Sequence, residues 1–341
     1  QIKYNGPVSD LNILDFDTER AVLNMERRGV RLLAEPLAAL NEAIKEELAD
    51  SKKELESVGV PSTLNVGSSK QVMALFTSRG VKLPLHPKTK KPTTDRMAME
   101  KLEMQGDPIA AALVRNRGLT KLKTSFVDTL PNFVSPLTGL IHASFKTAHT
   151  KTGRLAAEAP PLHQTPKRGK LSKRFRHCFT SPSGRIAGAD YDQFELRLAT
   201  AESRDPRLIE VFAAGGDPHT NTAAQVLGKT LAAVTEAERQ TAKTVNFSVL
   251  NGMRERRLSH LLRCSVNEAR SYLDSYFTRF CVLHEWMEAT WRSCETDGLA
   301  RTFMGRQRIF GRDEDTRPGI SVVVQGGAGD LKRAAMVELD R

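Results

Sequence analysis

A long helical stretch dominates the second half of this chain, beginning shortly after residue 200 and continuing almost to residue 300. Directly before it, the short apolar run 185–189 is of the kind that ends a buried strand, and Asp190 follows that run. A helical insert of this length after a strand that carries a carboxylate predicts a separate helical lobe on a sheet-based core. We therefore expect an α+β fold, with helices at 205–213, 219–226, 236–250, 256–262, 266–280 and 283–296.

The first half of the chain also favours helices. Gly29 is expected to end a short helix, because glycine adopts the left-handed backbone that closes helices. Ser68 is a suitable N-cap for another. The predicted elements are an irregular lead-in at 1–20, helices at 21–30, 37–58, 70–79, 95–104 and 107–128, an exposed loop at 81–94 and a strand at 140–145.

The charge of the chain predicts a polyanionic partner. Its 341 residues carry a net charge of +11, and a net charge this positive attracts nucleic acid, although it can also serve solubility alone. The cations fall in three clusters, which favours a groove that contacts phosphates from several sides. The clusters are Lys82, Lys88, Lys90 and Lys91; Arg115, Arg117, Lys121 and Lys123; and Lys167, Arg168, Lys170, Lys173, Arg174 and Arg176.

Cysteine usage and hydropathy predict a cytoplasmic protein without a membrane partner. The four cysteines form no CxxC pair, which fits a reduced cytosol and argues against a structural zinc site. No uncharged apolar run approaches the roughly 20 residues that cross a bilayer. No secretory signal is visible at the start of the sequence.

Two segments about fifty residues apart hold the candidate chemistry. In ADYDQFELR, at 189–197, Asp190 offers the oxygen ligands that Mg²⁺ prefers; a lone aspartate after a strand is more often an N-cap or a turn former. In RQTAKTVNF, at 239–247, Arg239, Lys243 and Phe247 are spaced by four and share one helix face. Two cations and a ring in line suit a triphosphate followed by a sugar and base, and the alternative is a solvated helix face.

Together these segments resemble motifs A and B of the family A DNA polymerases, the bacterial DNA polymerase I and phage type. Shorter matches keep the order and spacing of that family from about residue 21 to residue 341. They are LTKLK at 119–123, TGRL at 152–155, DPHT at 217–220, GRQR at 305–308 and QG at 325–326.

The resemblance implies a right-hand polymerase with a palm sheet, a helical thumb and helical fingers, the palm being incomplete at its C-terminus. The implied lobes are a lead-in at 1–20, palm start and thumb at 21–135, palm with motif A at 136–205, fingers with motif B at 206–315 and a return helix at 316–341. The implied reaction is template-directed DNA synthesis: nucleotidyl transfer from a dNTP to a primer 3′-hydroxyl, with release of pyrophosphate. The implied partners are primer–template DNA and dNTP, in bacterial or phage replication or repair.

The resemblance also assigns roles to single residues. Asp190, with the backbone of Tyr191, is the implied metal ligand, and two Mg²⁺ ions are expected. Lys243 approaches the α-phosphate and Arg239 the γ-phosphate, and with Asp190 they form the catalytic set; Glu195 blocks the ribose 2′-position. The other implied nucleotide-binding residues are Tyr191, Gln193, His219, Phe247 and Asn251. The implied DNA-binding residues are Lys121, Lys123, Arg154, Arg306 and Gln325.

Several positions depart from the family pattern. Asn251 replaces a tyrosine that stacks in the template position, so template handling and fidelity are expected to differ. Pro161, His163 and Ser321 replace amide residues, which predicts a weaker grip on the primer–template.

The family's motif C, a His-Asp-Glu string with a second catalytic carboxylate, does not occur in the sequence. One expectation is a split polymerase that needs a C-terminal complementing chain and is otherwise a monomer. The other is a DNA-binding fragment without turnover. A single-subunit RNA polymerase is a further alternative, and Glu195 disfavours it.

Overall fold

The computed structural model describes residues 10–86, 89–165, 170–213 and 215–341. Within these ranges the chain is mostly helical, with short strands, and it divides into two compact units. The larger unit comprises the described residues up to Arg27, Phe145–Ala157 and Gly188–Arg341, and the smaller unit comprises Arg28–Ser144 and Glu158–Ala187. Both segments that carry the candidate chemistry belong to the larger unit.

The elements of the first half of the chain are mainly helices. They are α1 (Asp10–Arg28), α2 (Ala34–Ser57), α3 (Ser69–Ser78), α4 (Arg96–Met104), α5 (Pro108–Leu122), continued by a π-helical turn (Lys123–Val127), and α6 (Lys170–Arg176). The strands are β1 (Arg31–Leu32), β2 (Ser144–Lys146), β3 (Ala156–Glu158) and β4 (Phe179–Thr180). Strand β1 pairs antiparallel with β4, and β2 pairs with β3.

The smaller unit is built on the long helix α2. Leu40 and Ile44, one turn apart, are fully buried and pack in one cluster with Phe126 and Phe175. Burying each of these side chains contributes roughly 1.5–3 kcal/mol. Side chains that accept hydrogen bonds from first-turn amides begin helices α3, α4 and α5: Ser68, Asp95 and Asp107.

The larger unit holds the elements of the second half. They are α7 (Phe194–Ser203), α8 (Pro206–Ala213), α9 (Pro218–Leu227), α10 (Glu236–Leu250), α11 (Glu255–Leu262), α12 (Val266–Arg279), α13 (Cys281–Asp297), the antiparallel hairpin β5 (Leu299–Arg301) and β6 (Gln307–Ile309), and α14 (Gly319–Asp340). No helix in the described ranges combines the length and apolar character that a bilayer crossing requires.

A single apolar cluster fixes helix α10 in the larger unit. Val245 and Val249 of α10 are buried in it with Tyr276 and Phe280. A capping box at the start of α10 pairs the Thr235 side chain with the third residue of the helix, so two otherwise unpaired amides are satisfied. Because one side of α10 is buried, its opposite side is held in a defined direction.

Two glycines form a glycine face on helix α14: Gly326 and Gly329. A Cβ atom at Gly326 would lie 3.1 Å from the Thr152 carbonyl oxygen, and one at Gly329 would lie 3.4 Å from that of Gly153. Side chains at these positions would therefore press against the backbone of the 152–153 turn. The glycine face lets the TGRL segment lie directly on the helix.

The predicted helices of the second half are confirmed, and α10 has the predicted bounds. The lead-in was wrong in part, because α1 already begins at Asp10 and Leu11, Thr18, Ala21 and Val22 give it a buried face at helical spacing. Residues 1–9 lie outside the described ranges.

Two predicted strands need correction. The strand over 140–145 begins only at Ser144, and Ile141 instead forms isolated bridges with Val30 and Val134. The run 185–189 is not a strand: it is exposed, with 62% of Ile186 accessible, and none of the two-stranded sheets in the described ranges includes it. A strand needs a neighbouring backbone to bond with, and apolar composition alone does not supply one.

Candidate active site

Asp190 lies at the end of the irregular segment that precedes α7. Its side chain is 83% exposed, and Oδ1 accepts a 3.0 Å hydrogen bond from the Tyr191 amide. The Lys332 ammonium of α14 lies 3.4 Å from the same oxygen. Lys332 was not among the predicted residues, although it lies two helical turns beyond Gln325 and hence on the same side of α14.

The start of α7 combines a constrained backbone with an ion pair. Gln193 has a left-handed backbone, with φ 50°, and its buried Oε1 atom has no hydrogen-bond partner within the described residues. The Tyr191 ring stacks on Phe194 with centroids 4.5 Å apart. Glu195, in the first turn, pairs with the guanidinium of Arg154 from the TGRL segment. Glu195 and Arg154, predicted for nucleotide and DNA respectively, are thus brought into contact.

The predicted face of α10 is formed, but one of its two cations is paired with a carboxylate and the other is not. Arg239 donates from Nε and Nη2 to the Asp217 carboxylate, at 2.9 and 3.2 Å. Lys243 is half-buried and has no hydrogen-bond or ion-pair partner among the residues that the structure describes. Phe247 is 38% exposed, so the face ends in an accessible ring. Lys243 is therefore the cation of this face that is available to an anionic ligand.

His219 connects the separate segments. The residue is fully buried, Asn246 Nδ2 lies 3.0 Å from its Nδ1, and its Nε2 has no partner in the described part of the chain. With Nδ1 accepting from Asn246, Nε2 carries the proton of the neutral ring and is an unused donor. Burial lowers the pKa of His219; the charge of Asp217 opposes this shift, and Lys243 and Arg239 reinforce it.

The two motif segments converge, because Leu196 of α7 is buried in one apolar cluster with Val245 and Val249 of α10. The charge of Asp192, from the segment before α7, raises the pKa of His219, whereas the charge of Lys243 of α10 lowers it. The Phe247 ring lies 5.8 Å from the imidazole, centroid to centroid. An unused imidazole N–H, an unpaired ammonium and an accessible ring thus share one wall of the larger unit.

Asp217 is held as a carboxylate. Burial alone would raise its pKa, but hydrogen bonds from the Thr220 hydroxyl, Arg239 and the Thr220 amide lower the pKa to about 2. Asp217 also caps α9 and so fixes the helix that carries His219. The predicted roles did not include this residue, although it belongs to the DPHT string.

We expect Asp217→Asn to flatten the pH dependence of stability between about pH 4 and pH 2. The Asp217 pKa of about 2 lies below its ordinary value of 3.8, so its stabilising contribution is complete above about pH 4 and is lost as the pH falls towards 2. Asparagine keeps the N-cap and removes the titration. Urea unfolding midpoints from pH 2 to pH 7 measure this, with the exposed Asp313→Asn as control. Equal slopes in the wild type and Asp217→Asn would contradict the assignment.

Arg306, a predicted DNA-binding residue, is almost completely buried. Its side chain is 5% exposed and donates to Asp330, which is fully buried, at 2.5 Å and to Asp15 at 2.7 Å. Burial alone would lower its pKa, but the bonds to Asp15 and Asp330 raise the pKa of Arg306 above its ordinary value. Arg333 completes this buried network and donates to the Gly153 carbonyl at 2.8 Å. Arg306 thus belongs to a buried ion-pair network, and its role as a DNA-binding residue remains a prediction.

Gln325, the predicted DNA-binding residue on α14, bonds to Asn251. Gln325 Nε2 donates to Asn251 Oδ1 at 2.7 Å. Asn251 Nδ2 in turn donates to the Phe247 carbonyl at 2.6 Å. The end of α10 is thereby tied to the side of α14.

In the smaller unit, cations of the second and third clusters meet. Arg115, Lys121 and Lys170 line one cavity of about 830 Å³. Lys121 is exposed, whereas Lys123 is paired with Asp128 at 2.6 Å. Other cations are also used internally: Arg115 pairs with Glu47 and Glu54, and Arg117 donates to the carbonyls of Val66 and Thr94. Lys88, Lys167 and Arg168 lie outside the described residues.

The predicted two-ion magnesium site is incomplete in the described residues. Asp190 is an exposed carboxylate of the type that Mg²⁺ accepts. Within those residues, however, no group of three or more His, Cys, Asp or Glu side chains is arranged to hold a metal ion. Two bridging ions require more than one carboxylate. The described residues therefore do not make such a site by themselves.

The exposed carboxylate of Asp190 and the wall of His219, Lys243 and Phe247 belong to the same compact unit. The family model for DNA polymerase family A matches residues 34–341. The chain therefore belongs to this family. The family resemblance predicted from the motifs is thus confirmed.

Similar proteins support the same assignment. A thermostable DNA polymerase I of Thermus thermophilus is 36% identical over 331 residues, which cover 94% of this chain and 40% of that protein. The DNA polymerase I of Deinococcus radiodurans is 33% identical over 328 residues, covering 93% and 34%. The chain therefore spans about two fifths or less of the length of these curated relatives.

A solved structure confirms the α+β fold class. The POL domain of Pol1 from M. smegmatis, in complex with DNA primer-template and dNTP, superimposes with a TM-score of 0.84 at 28% identity. The match covers 95% of this chain and 59% of that one.

Proposed function

We propose that this chain carries out template-directed DNA synthesis by transferring a nucleotidyl group from a dNTP to a primer 3′-hydroxyl, with release of pyrophosphate. The observation that carries the proposal is the wall formed by His219, Lys243 and Phe247, where two donors have no partner among the described residues. Membership of DNA polymerase family A supports it. So does the M. smegmatis relative, which was solved with primer–template and dNTP.

Each group of the wall has a proposed task. Lys243 holds the α-phosphate and stabilises the charge that develops as pyrophosphate leaves, since a preplaced cation in a sheltered site is effective there. His219 donates its Nε2 proton to a phosphate oxygen. Arg239, already oriented by Asp217, binds the terminal phosphate. Phe247 packs against the sugar and base.

The remaining nucleotide contacts come from the segment before α7. We propose that Glu195, oriented by Arg154, closes the space at the ribose 2′-position. Tyr191 and Gln193 border the same space. Asp190 contributes one carboxylate, and Tyr191 its backbone oxygen, to bound Mg²⁺, which activates phosphoryl chemistry when it is present.

We propose the lobes from the family pattern. Residues 21–135 contribute the palm start and thumb, 136–205 the palm with motif A, 206–315 the fingers and 316–341 the return helix. Duplex DNA is then bound through its phosphates by cations that include Lys121. Because such binding releases counterions from the DNA, its affinity falls as the salt concentration rises.

The second candidate function is binding of DNA and nucleotide without turnover by this chain alone. The incomplete metal site in the described residues favours it. In that case a C-terminal complementing chain supplies the second carboxylate. Retention of Lys243 and Arg239 favours catalysis, because duplex binding requires neither.

Single-nucleotide incorporation tests the proposal. A labelled primer–template is incubated with Mg²⁺ and one dNTP, with the chain alone and with a C-terminal complement from a family A polymerase. Incorporation of the templated base by the chain alone supports the first proposal, whereas incorporation only in the arm with the complement supports the second candidate in its split form. Stable binding of DNA with no incorporation in both arms supports the second candidate, and failure to bind DNA at all contradicts both.

We expect Glu195→Ala to relax sugar selection. Without the carboxylate, a ribonucleotide 2′-hydroxyl fits, so the preference for dNTP over NTP should fall about 10- to 100-fold, the usual size of steric discrimination. Competition between dCTP and CTP in the incorporation assay measures the ratio. Glu202→Ala, on the same helix, serves as control. An unchanged ratio in Glu195→Ala would exclude Glu195 as the sugar gate.

A further inference from the structure

The amide pair between Asn251 and Gln325 connects the residue that follows α10 with the middle of α14. Asn251 Oδ1 accepts from Gln325 Nε2 at 2.7 Å, and Asn251 Nδ2 donates to the Phe247 carbonyl at 2.6 Å. Ser321, one turn before Gln325 on α14, directs its hydroxyl at the same Asn251 oxygen from 3.5 Å. Both ends of the Asn251 amide are therefore occupied.

An amide side chain suits this arrangement. It needs a donor towards α10 and an acceptor towards α14 within one short side chain, which neither a carboxylate nor an apolar residue provides. Asn251 is exposed at the helix end, so burial does not force this orientation. The Gln325 amide is thus held by a hydrogen bond to an exposed residue.

We infer that Asn251 determines how strictly this enzyme distinguishes paired from mispaired primer ends, by holding the Gln325 amide when no base pair accepts it. This inference rests on the proposed function and on the predicted DNA-binding role of Gln325, whose amide we place at the terminal base pair. Gln325 Nε2 then has two alternative acceptors: Asn251 Oδ1, or a base-edge oxygen or nitrogen in the minor groove. Every correct pair presents such an acceptor there.

Because Gln325 has two alternative acceptors, a mispaired end lowers the binding free energy by less. At a correct end, Gln325 exchanges one hydrogen bond for another. At a mispaired end without a suitably placed acceptor, Gln325 stays with Asn251 and no donor is left unpaired. Without Asn251 the same mispair would leave the donor unsatisfied, and an unsatisfied polar group is disfavoured more than a formed bond is favoured. The amide pair therefore lowers the discrimination between the two ends.

The test measures, by fluorescence anisotropy, the equilibrium binding of fluorescein-labelled primer–template with a matched or a mismatched terminal pair. Asn251→Leu, of similar shape, should raise the ratio of mismatched to matched Kd about three- to tenfold, the effect of one hydrogen bond. In a Gln325→Leu background the same substitution should have no effect on the ratio. Asn267→Leu, an exposed asparagine on α12, is the control and should leave the ratio unchanged.

A second arm without DNA tests the pair itself. The urea midpoints of Asn251→Leu, Gln325→Leu and the double variant should be non-additive, because each single change breaks the same bond. Additive midpoints, an unchanged ratio in Asn251→Leu, or an equal change in the Gln325→Leu background would each overturn the inference. If the wild type bound neither duplex, the proposed function would fall with it; normal duplex binding without coupling would refute the amide pair alone.

Discussion

Replacing Asp190 with alanine is expected to lower primer extension by about 1,000-fold or more while leaving the binding of primer–template intact or slightly tighter. Asp190 is the exposed carboxylate of the motif A segment, and loss of a metal ligand removes several kcal/mol of transition-state stabilisation. Removing a negative charge near a polyanion does not weaken the binding of that polyanion. Rapid-quench extension and anisotropy on the same protein preparations measure the two effects.

Asp192→Ala is the matched control for this substitution. It removes a carboxylate two residues away in the same exposed segment and should retain most of the extension rate. An Asp190→Ala protein that extends primers within tenfold of the wild type would contradict the role of Asp190. Equal losses in both variants would point to the fold of the segment instead.

The second large effect is expected for Lys243→Ala, which should lower the rate of nucleotide incorporation about 100- to 1,000-fold. The Lys243 ammonium has no partner among the described residues, so its charge is available to the triphosphate. A preplaced donor of this kind contributes about that factor when it acts on charge developing in the transition state. Single-turnover incorporation at saturating dNTP measures the loss.

Two comparisons decide whether the Lys243 effect is local. Lys229→Ala removes another lysine of the larger unit, one that is paired with Glu238, and should leave the rate near that of the wild type. Lys243→Arg keeps the charge and should recover part of the activity. A Lys243→Ala protein with the wild-type rate would mean that the α10 face does not bind the triphosphate.

Helices were predictable here because their signals are local. The bounds of α10 follow from Thr235 and Glu238, a capping pair three residues apart, and from apolar residues at helical spacing. The prediction of a strand at 185–189 was wrong, since a strand depends on a neighbouring backbone from elsewhere in the chain. The early start of α1 was missed because its few buried positions are separated by charged residues.

The candidate site was likewise predictable only in part from the sequence. The α10 face followed from the spacing of Arg239, Lys243 and Phe247, and their relation to nucleotide binding remains a prediction. Sequence could not show which cations are already neutralised, because Arg239 finds its partner in Asp217 and Arg306 finds Asp15 across most of the chain. For the same reason, the Asn251–Gln325 pair became visible only in three dimensions.

The glycine face of α14 makes that helix depend on its neighbour. Glycine weakens a helix interior by about 1 kcal/mol relative to alanine, so the middle of α14 would be a poor helix as an isolated peptide. Against it lies the turn that carries Arg154, which Arg333 of the same helix binds through the Gly153 carbonyl. Helix and turn therefore gain their order as a cooperative pair. An alanine that would strengthen almost any other helix would here push away the turn that accompanies it.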